Sequence, residues 1–430
     1  MDKIKIIGGN PLFGKVFISG AKNTALPIIC ASLLTDEPVT IKNIPFLSDI
    51  KSLNNLLLQL GTDISVNEEL LNGHNTQTIT YHTPQPTSLI APYDFVRKMR
   101  ASYYVLGPLL AKYRHVELSL PGGCAIGARP MDIHLTSLEQ MGARIEIKNG
   151  YVVADTDDRL KGAHIAFHSA SVGATCNILM AAALAEGTTV IENAAKEPEI
   201  ADLIRMLNKM GAHIEGENTS TLTIYGVKKL HGVTHQIIND RIEAGSYAVA
   251  AAITKGRIEL INANPEYLKT PLDILQKMGV KIELTPNSII VDAQNAVLHG
   301  EDIYTDYYPG FPTDLQAQFM ALMCVSEGAS MITENIWENR FMHVPELMRM
   351  GANINVHGHA SAIVRGVKKL SGAPVMSTDL RASFSLILAG LVAEGETIVN
   401  RVYHLDRGYE SLEEKFKAVG ADIERIKEAD

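Results

Sequence analysis

Apolar positions along this chain follow two alternating rhythms. Val116-Glu117-Leu118-Ser119-Leu120 alternates apolar and polar residues, the period of a strand. Longer apolar runs, 26–34, 178–184 and 319–325, read as buried helices. A motif that ends a helix and opens a strand recurs six times. Its copies are Leu60-Gly61-Thr62-Asp63-Ile64, Met141-Gly142-Ala143-Arg144-Ile145, Met210-Gly211-Ala212-His213-Ile214, Met278-Gly279-Val280-Lys281-Ile282, Met350-Gly351-Ala352-Asn353-Ile354 and Val419-Gly420-Ala421-Asp422-Ile423. The glycines are spaced by 81, 69, 68, 72 and 69 residues, so the chain is a repeat. Glycine at each helix end supplies the left-handed position from which a strand can leave.

A second marker, Leu-x-Gly, recurs as Leu12/Gly14, Leu160/Gly162, Leu230/Gly232, Leu298/Gly300 and Leu370/Gly372. Each unit of about 70 residues then reads alike. Leu-x-Gly leads into a strand, then an Ala-rich helix such as 178–185. After Glu186-Gly187-Thr188 come a strand (189–192), an amphipathic helix ending at the glycine motif, and a closing hairpin. Asn149-Gly150, between 145–147 and 151–153, is a two-residue hairpin turn. The fold class is α/β. Six such units exceed the period of ordinary solenoid repeats, so two compact domains of three units each are expected.

The chain ends indicate the grouping. The sixth unit stops at Asp430 without its hairpin partner and its Leu-x-Gly strand. The first 20 residues hold those missing parts, Lys3 to Ile7, then Leu12-Phe13-Gly14 and Val16 to Ile18, so the N-terminus is expected to complete the sixth unit. Residues 1–21 are therefore expected to join 239–430 as one domain, with 22–238 as the other. Hinges would fall near Ala21-Lys22 and Ile238-Asn239.

A chain of 430 residues is too long for one ordinary core. With 46% hydrophobic and 20% charged residues it reads as a folded soluble protein, and a net charge of -9 argues against nucleic acid or an anionic membrane as partner. No apolar run approaches the ~18 residues of a membrane span, and Met1-Asp2-Lys3-Ile4-Lys5 is no signal peptide. Four cysteines without close pairs point to a reducing compartment, hence a cytoplasmic location.

Cys30, Cys176 and Cys324 sit inside the apolar helical runs, where packing is their expected role. Cys124 differs. It lies in Pro121-Gly122-Gly123-Cys124-Ala125-Ile126-Gly127-Ala128-Arg129-Pro130, where three Gly and two Pro exclude regular structure. Pro130 suits a first helical position, with Met131, Leu135 and Leu138 spaced for a buried face. Arg129 and a helix start both favour a thiolate and both bind anions; a turn with an incidental Cys is the alternative. No Cys/His spacing suits zinc, and His357-Gly358-His359 reads as a turn between strands. Gly8-Gly9-Asn10-Pro11 is turn chemistry and not a dinucleotide fingerprint.

Aligning the units aligns their first helices. At or near those helix starts stand Lys22-Asn23, Arg100, Ser171-Val172-Gly173, Arg241, Asp314 and Arg381. Capping and surface ion pairing account for Asp or Ser there, but poorly for Lys and Arg, which the helix dipole disfavours at that end. If both domains present these starts to one another, the cleft would suit a polyanionic ligand.

The residues then form a familiar set. Ser19-Gly20-Ala21-Lys22-Asn23, the Cys124 loop and Asp240-Arg241-Ile242-Glu243-Ala244-Gly245 are one part of it. Gly310-Phe311-Pro312-Thr313-Asp314-Leu315-Gln316, Glu338-Asn339-Arg340-Phe341-Met342-His343, Asp379-Leu380-Arg381 and Asp406-Arg407-Gly408-Tyr409 are the other. Over nearly the whole chain this resembles the UDP-N-acetylglucosamine 1-carboxyvinyltransferases, the family opening bacterial peptidoglycan synthesis. The resemblance implies the enolpyruvyl transferase fold, a two-domain inside-out α/β barrel with three repeats per domain. It implies transfer of the enolpyruvyl group of phosphoenolpyruvate to the 3-hydroxyl of UDP-N-acetylglucosamine, with no cofactor and no metal. Cys124 would donate the proton from a mobile lid and react with fosfomycin, and Asp314 would act as base. Lys22, Arg129, Arg340, Arg381 and Arg407 would hold phosphoenolpyruvate, with Lys22 and Arg407 counted among the catalytic residues. Asn23, Arg100, Arg129, Pro130, Met131, Asp132, Ile133, Ser171, Val172, Gly173, Asp314 and Ile336 would hold the sugar nucleotide. Ser169 and Ser48 stand where some relatives carry Lys. Three alternatives remain at this point: 5-enolpyruvylshikimate-3-phosphate synthase, which lacks a Cys-bearing lid; a silent paralogue that binds the sugar nucleotide; and a purely structural repeat protein, which would leave the cationic helix starts unexplained.

Overall fold

The computed structural model describes residues 2–71, 73–97, 99–120 and 131–427, with Arg100 described in its backbone alone. Cys124, Arg129 and Pro130 lie outside the described residues. The chain divides into two compact units, residues 20–120 with 131–238 and residues 2–19 with 239–427.

Each unit is built from three copies of one α/β arrangement. One copy runs through strand His164–Ala166, helix Val172–Ala183, strand Thr188–Glu192, helix Pro198–Lys209 and the hairpin His213–Glu215/Thr221–Tyr225. Its first two strands are parallel and bridged by the first helix, as a parallel pair requires; the returning hairpin strand then adds antiparallel. All six sheets have four strands in this order.

The repeated glycines explain the sharp helix-to-strand turns. Gly61, Gly142, Gly211, Gly279, Gly351 and Gly420 have φ of 96°, 93°, 100°, 102°, 93° and 100°, a region that a side chain would strain. Asn149 and Gly150 both have positive φ, and the turn they form puts Lys148 opposite Tyr151.

The first helix of each repeat is buried along nearly its whole length. That is why 172–183, 241–253 and 380–392 carry mostly small and apolar residues on every side, whereas Pro198–Lys209 carries a single apolar stripe. In the unit containing the chain ends, Arg241–Ile253, Gln316–Met323 and Leu380–Val392 pack on one another. Phe384 lies at the centre of an aromatic group, 4.3 Å from Tyr409, 5.7 Å from Tyr247 and 5.8 Å from Phe416 between ring centroids. In the other unit, Val172–Ala183 packs on Leu106–Tyr113 and Lys22–Ala31.

The chain ends complete two different repeats. Lys3–Ile7 inserts between Glu396–Asn400 and Asp422–Ile426 and so completes the sixth sheet. Phe13–Phe17 does not belong there, contrary to the expectation from the pattern. It pairs parallel with Arg257–Ile261 in the fourth sheet, because the sixth repeat already has its own first strand, Pro374–Met376. The whole of 20–238 is thus inserted between the first strand of the fourth repeat and its helix. In the same way Thr234–Gln236 returns to pair with Val39–Ile44 and completes the first repeat.

The chain leaves at Ser19 and returns at Asn239, and both points are pinned. Asp240 N donates to Ser19 O at 2.8 Å, and Asn239 Nδ2 to Ile18 O at 2.7 Å. Ser19 N donates to the buried Glu243, which also receives Lys415 Nζ at 2.6 Å. Burial raises the Glu243 carboxyl above its ordinary value, with Lys415 opposing.

Candidate active site

The residues expected at helix starts divide into caps and non-caps. Ser171 Oγ accepts from Ala174 N at 3.2 Å, Asp240 from Ile242 N and Glu243 N, and Asp379 from Arg381 N and Ala382 N. These side chains satisfy the orphan donors of their helices. Asp314 does something else. It sits in the turn Thr313–Leu315 ahead of Gln316–Met323 and makes no cap.

Its carboxylate is instead held by two guanidiniums. Arg340 Nη2 donates to Oδ1 at 2.8 Å, while Arg381 Nε and Nη2 donate to Oδ2 at 3.2 and 3.1 Å. Both arginine side chains are 5% exposed and Asp314 is 29% exposed. Nη1 of each arginine is buried with no hydrogen-bond partner among the described residues. Burial works against the charge of Arg381, but Asp314 foremost, then Tyr409 and Asp240, hold the guanidinium above its ordinary value. Two buried cations around one carboxylate, each with an unused donor, are suited to a further anion.

Neighbouring groups fix this arrangement. The Glu334 carboxylate accepts from Thr313 Oγ1, Thr305 Oγ1, Ile336 N and Trp337 N, so it ties the Asp314 turn to the segment carrying Ile336 and Arg340. Gln318 Nε2 donates to Asp314 O at 2.9 Å and to Tyr409 Oη at 3.2 Å. Ser246 Oγ donates to Ile242 O, so its 2.8 Å contact with Tyr409 Oη has Tyr409 as donor. The Arg381 guanidinium lies 5.5 Å from the Tyr409 ring centroid. Arg407 ends the turn Val402–Arg407 and is half-buried; the preceding Asp406 is paired with Arg425 at 2.6 Å. His343, on the Arg340 segment, is buried with Nε2 3.1 Å from Met320 Sδ. Burial pushes it down to about 4, with Arg340 adding to the shift and Asp379 opposing it.

In the other unit, Lys22 opens helix Lys22–Ala31, where the helix end disfavours a cation. Asp49 supplies the compensation: Nζ to Oδ2 is 2.6 Å, and the two side chains are 10% and 4% exposed. Asn23 beside it is half-buried. Arg100 opens the turn Arg100–Val105 that leads into Leu106–Tyr113. Gly173 is glycine for a steric reason, since a Cβ there would come within 2.5 Å of Tyr103 Oη and 3.2 Å of His134 Cε1. Asn177 locks this region. Its Nδ2 donates to Tyr103 O and pairs with His134 Nδ1, and its Oδ1 accepts from Gly107 N. Met131 is buried just before helix Asp132–Gln140; Ile133 is half-buried and Asp132 exposed.

Within the chain-end unit, then, the structure gathers Asp314, Arg340 and Arg381 in direct contact and puts Ile336 on the same framework. Within the other unit, Tyr103 and His134 sit against Gly173, between the Arg100 turn and the helix starting at Val172. The sequence pattern points to no role for Asp49, Glu334, Gln318 or Tyr409. Tyr409 stands inside a quoted motif, and the two glutamines of Gln316-Ala317-Gln318 break an otherwise apolar helix, a signal that could have found them. Cys30, Cys176 and Cys324 are buried, and burial raises all three thiols, Cys324 to about 12. No group of three or more potential metal ligands occurs among the described residues.

Residues 6–416 match the family model described as EPSP synthase (3-phosphoshikimate 1-carboxyvinyltransferase). Proteins named UDP-N-acetylglucosamine 1-carboxyvinyltransferase match end to end. Those of Granulibacter bethesdensis and Paramagnetospirillum magneticum are 59% and 58% identical, covering 99% and 100% of this chain and 100% and 99% of theirs. The chain belongs to the UDP-N-acetylglucosamine 1-carboxyvinyltransferase family. Its fold is the enolpyruvyl transferase fold. The crystal structure of the enolpyruvyl transferase NikO from Streptomyces tendae has a TM-score of 0.86 at 24% identity, covering 100% of this chain and 99% of that one. EPSP synthase from Acinetobacter baumannii has a TM-score of 0.76 at 20% identity, covering 99% and 100%. Within this family frame the two departures, Ser48 and Ser169, fall at the exposed start of helix Ser48–Leu60 and at a half-buried position before Ser171.

Proposed function

We propose that this chain transfers the enolpyruvyl group of phosphoenolpyruvate to the 3-hydroxyl of UDP-N-acetylglucosamine, releasing phosphate, in the cytoplasm and at the start of peptidoglycan synthesis. One structural observation carries the chemistry: Asp314 at a helix start, held by two buried guanidiniums that each keep an unused Nη1. The substrate follows the name shared by full-length relatives at 53–59% identity.

The reaction needs an acid and a base. The methylene carbon of phosphoenolpyruvate takes a proton while the sugar oxygen bonds to the neighbouring carbon. Loss of a methyl proton and of phosphate then restores the double bond. In this reading Cys124 supplies the first proton and Asp314 accepts the hydroxyl proton. Phosphate and carboxylate groups suit planar, bidentate arginines and a point-charge lysine. Arg340, Arg381, Arg407, Arg129 and Lys22 take those roles. Asn23, Arg100, Arg129 to Ile133, Ser171 to Gly173, Asp314 and Ile336 take the sugar nucleotide.

Phosphate release with phosphoenolpyruvate and either UDP-N-acetylglucosamine or shikimate-3-phosphate tests the reading. Release with the sugar nucleotide alone is expected. Release with shikimate-3-phosphate, or with neither, contradicts it.

A further inference from the structure

We infer that Arg425 is a positioning residue, whose guanidinium clamps Asp406 and thereby fixes the turn that presents Arg407. The inference rests on the proposed function for the task of Arg407, which is to hold phosphoenolpyruvate.

Arg425 lies on the last strand, Asp422–Ile426, opposite Ile4 of Lys3–Ile7. Its side chain is 22% exposed and meets three carboxylates. Nη2 donates to Asp406 Oδ1 at 2.6 Å and Nη1 to Asp406 Oδ2 at 3.0 Å. Nε donates to Glu413 Oε1, and Nη1 lies 3.5 Å from Asp2 Oδ2. The two-pronged face thus goes to Asp406, and a planar fork fixes the orientation of its partner as well as its distance. The contact with Asp406, more than any other influence, holds the guanidinium above its ordinary value.

The turn needs such an anchor. Arg401 and Ser411, which bracket it, have φ of 58° and 46°, a backbone that residues with side chains keep only when their surroundings impose it. Val402 and Leu405 are buried and fix the first part of the turn. Gly408 is pressed onto the start of helix Leu380–Val392, where a Cβ would come within 2.5 Å of Leu380 Cδ2. Gly408 N and Tyr409 N both donate to Leu405 O, at 3.0 and 2.9 Å. Arg407 therefore stands between two fixed points, the carboxylate of Asp406 and the close approach of Gly408. Asp406 is 40% exposed, so its side chain is held by the fork and not by burial. A guanidinium that must meet a phosphate or carboxylate in a planar contact gains from a backbone set in advance.

Hydrogen exchange over residues 402–410, read by mass spectrometry of the full chain, tests the clamp, and steady-state kinetics test its purpose. Arg425→Met and Asp406→Asn, both checked for folding by circular dichroism, are each expected to speed exchange in that segment. Each should raise KM for phosphoenolpyruvate about tenfold while KM for UDP-N-acetylglucosamine stays within about twofold. The double variant should rise no further than either alone, because both changes remove one contact. Glu413→Gln and Asp2→Asn take the other partners from the same guanidinium. They should leave KM for phosphoenolpyruvate within about twofold even where they lower stability to urea. Unchanged exchange or unchanged KM for phosphoenolpyruvate in folded Arg425→Met and Asp406→Asn would overturn the inference. So would additive effects in the double variant, or an equal rise in Glu413→Gln. Faster exchange over 402–410 in the two variants, beside a wild type that turns over neither acceptor, would uphold the clamp and sink the proposed function instead.

Discussion

Nε and Nη2 of Arg381 lie 3.2 and 3.1 Å from the same oxygen of Asp314, a contact that spans 67 residues of sequence. It joins the starts of two core helices, so the carboxylate proposed as the base is positioned by the packing of the core. A lysine cannot reproduce a planar side-on contact. Arg381→Lys is expected to lower kcat/KM by roughly one to two decades, the cost of a charge-assisted contact. Unaltered kinetics in a folded variant would remove Arg381 from the site.

Lys22 and Asp49 form a buried pair in the other unit, and removing one partner takes a close opposite charge from the other. Asp49→Asn should reduce the unfolding free energy by about 3 kcal/mol in urea titrations. Lys22→Met with Asp49→Leu should recover most of that stability yet remain inactive. Full activity in the double variant would show that Lys22 serves only the fold.

His343 makes stability depend on pH on the acid side. Burial depresses its folded value to about 4, below the unfolded value of ~6.5. The folded state favours the neutral ring, so the contribution is complete above the unfolded value and is lost as pH falls through about 4. Between pH 7.5 and 5 the loss from this group is about 2 kcal/mol. His343→Gln should flatten the urea-derived profile over that range, and an unchanged slope would assign the dependence to other groups.

Thiol reactivity should be confined to one cysteine. Burial keeps Cys30, Cys176 and Cys324 protonated at neutral pH, whereas Cys124 stands beside Arg129 in sequence. Peptide mass spectrometry after fosfomycin treatment of the native protein is expected to find a single adduct, at Cys124. Label on the other three, or on none, contradicts this.

The repeat was readable because its cause is local: a left-handed backbone at a helix end needs glycine, so Gly142 or Gly351 marks the turn wherever it occurs. The partner of Phe13–Phe17 was not readable. Alternation tells which face of a strand is buried, but not which sheet edge receives it, and here the receiving strand, Arg257–Ile261, lies more than 200 residues away. Arg381 and Asp314 stood out as charges at the openings of apolar runs, whereas Arg340 came only with the family resemblance. Asp49 did not, because a lone carboxylate in an amphipathic helix looks like solvated surface until Lys22 is seen against it. Gln318 and Tyr409 left a trace, a glutamine in an apolar helix and a tyrosine in a motif, but not their partners, since their polar atoms are satisfied by residues distant in sequence.

The most direct measurement identifies the product made from phosphoenolpyruvate and UDP-N-acetylglucosamine by wild type and by Asp314→Ala, using mass spectrometry with phosphate release followed in parallel. The wild type should form the enolpyruvyl ether of the sugar nucleotide, one phosphate per ether. Asp314→Ala should make the same product slower by roughly two to four decades, the usual size of an acid–base contribution. Phosphate released without the ether, or a folded Asp314→Ala that keeps the wild-type rate, would contradict a base held between Arg340 and Arg381.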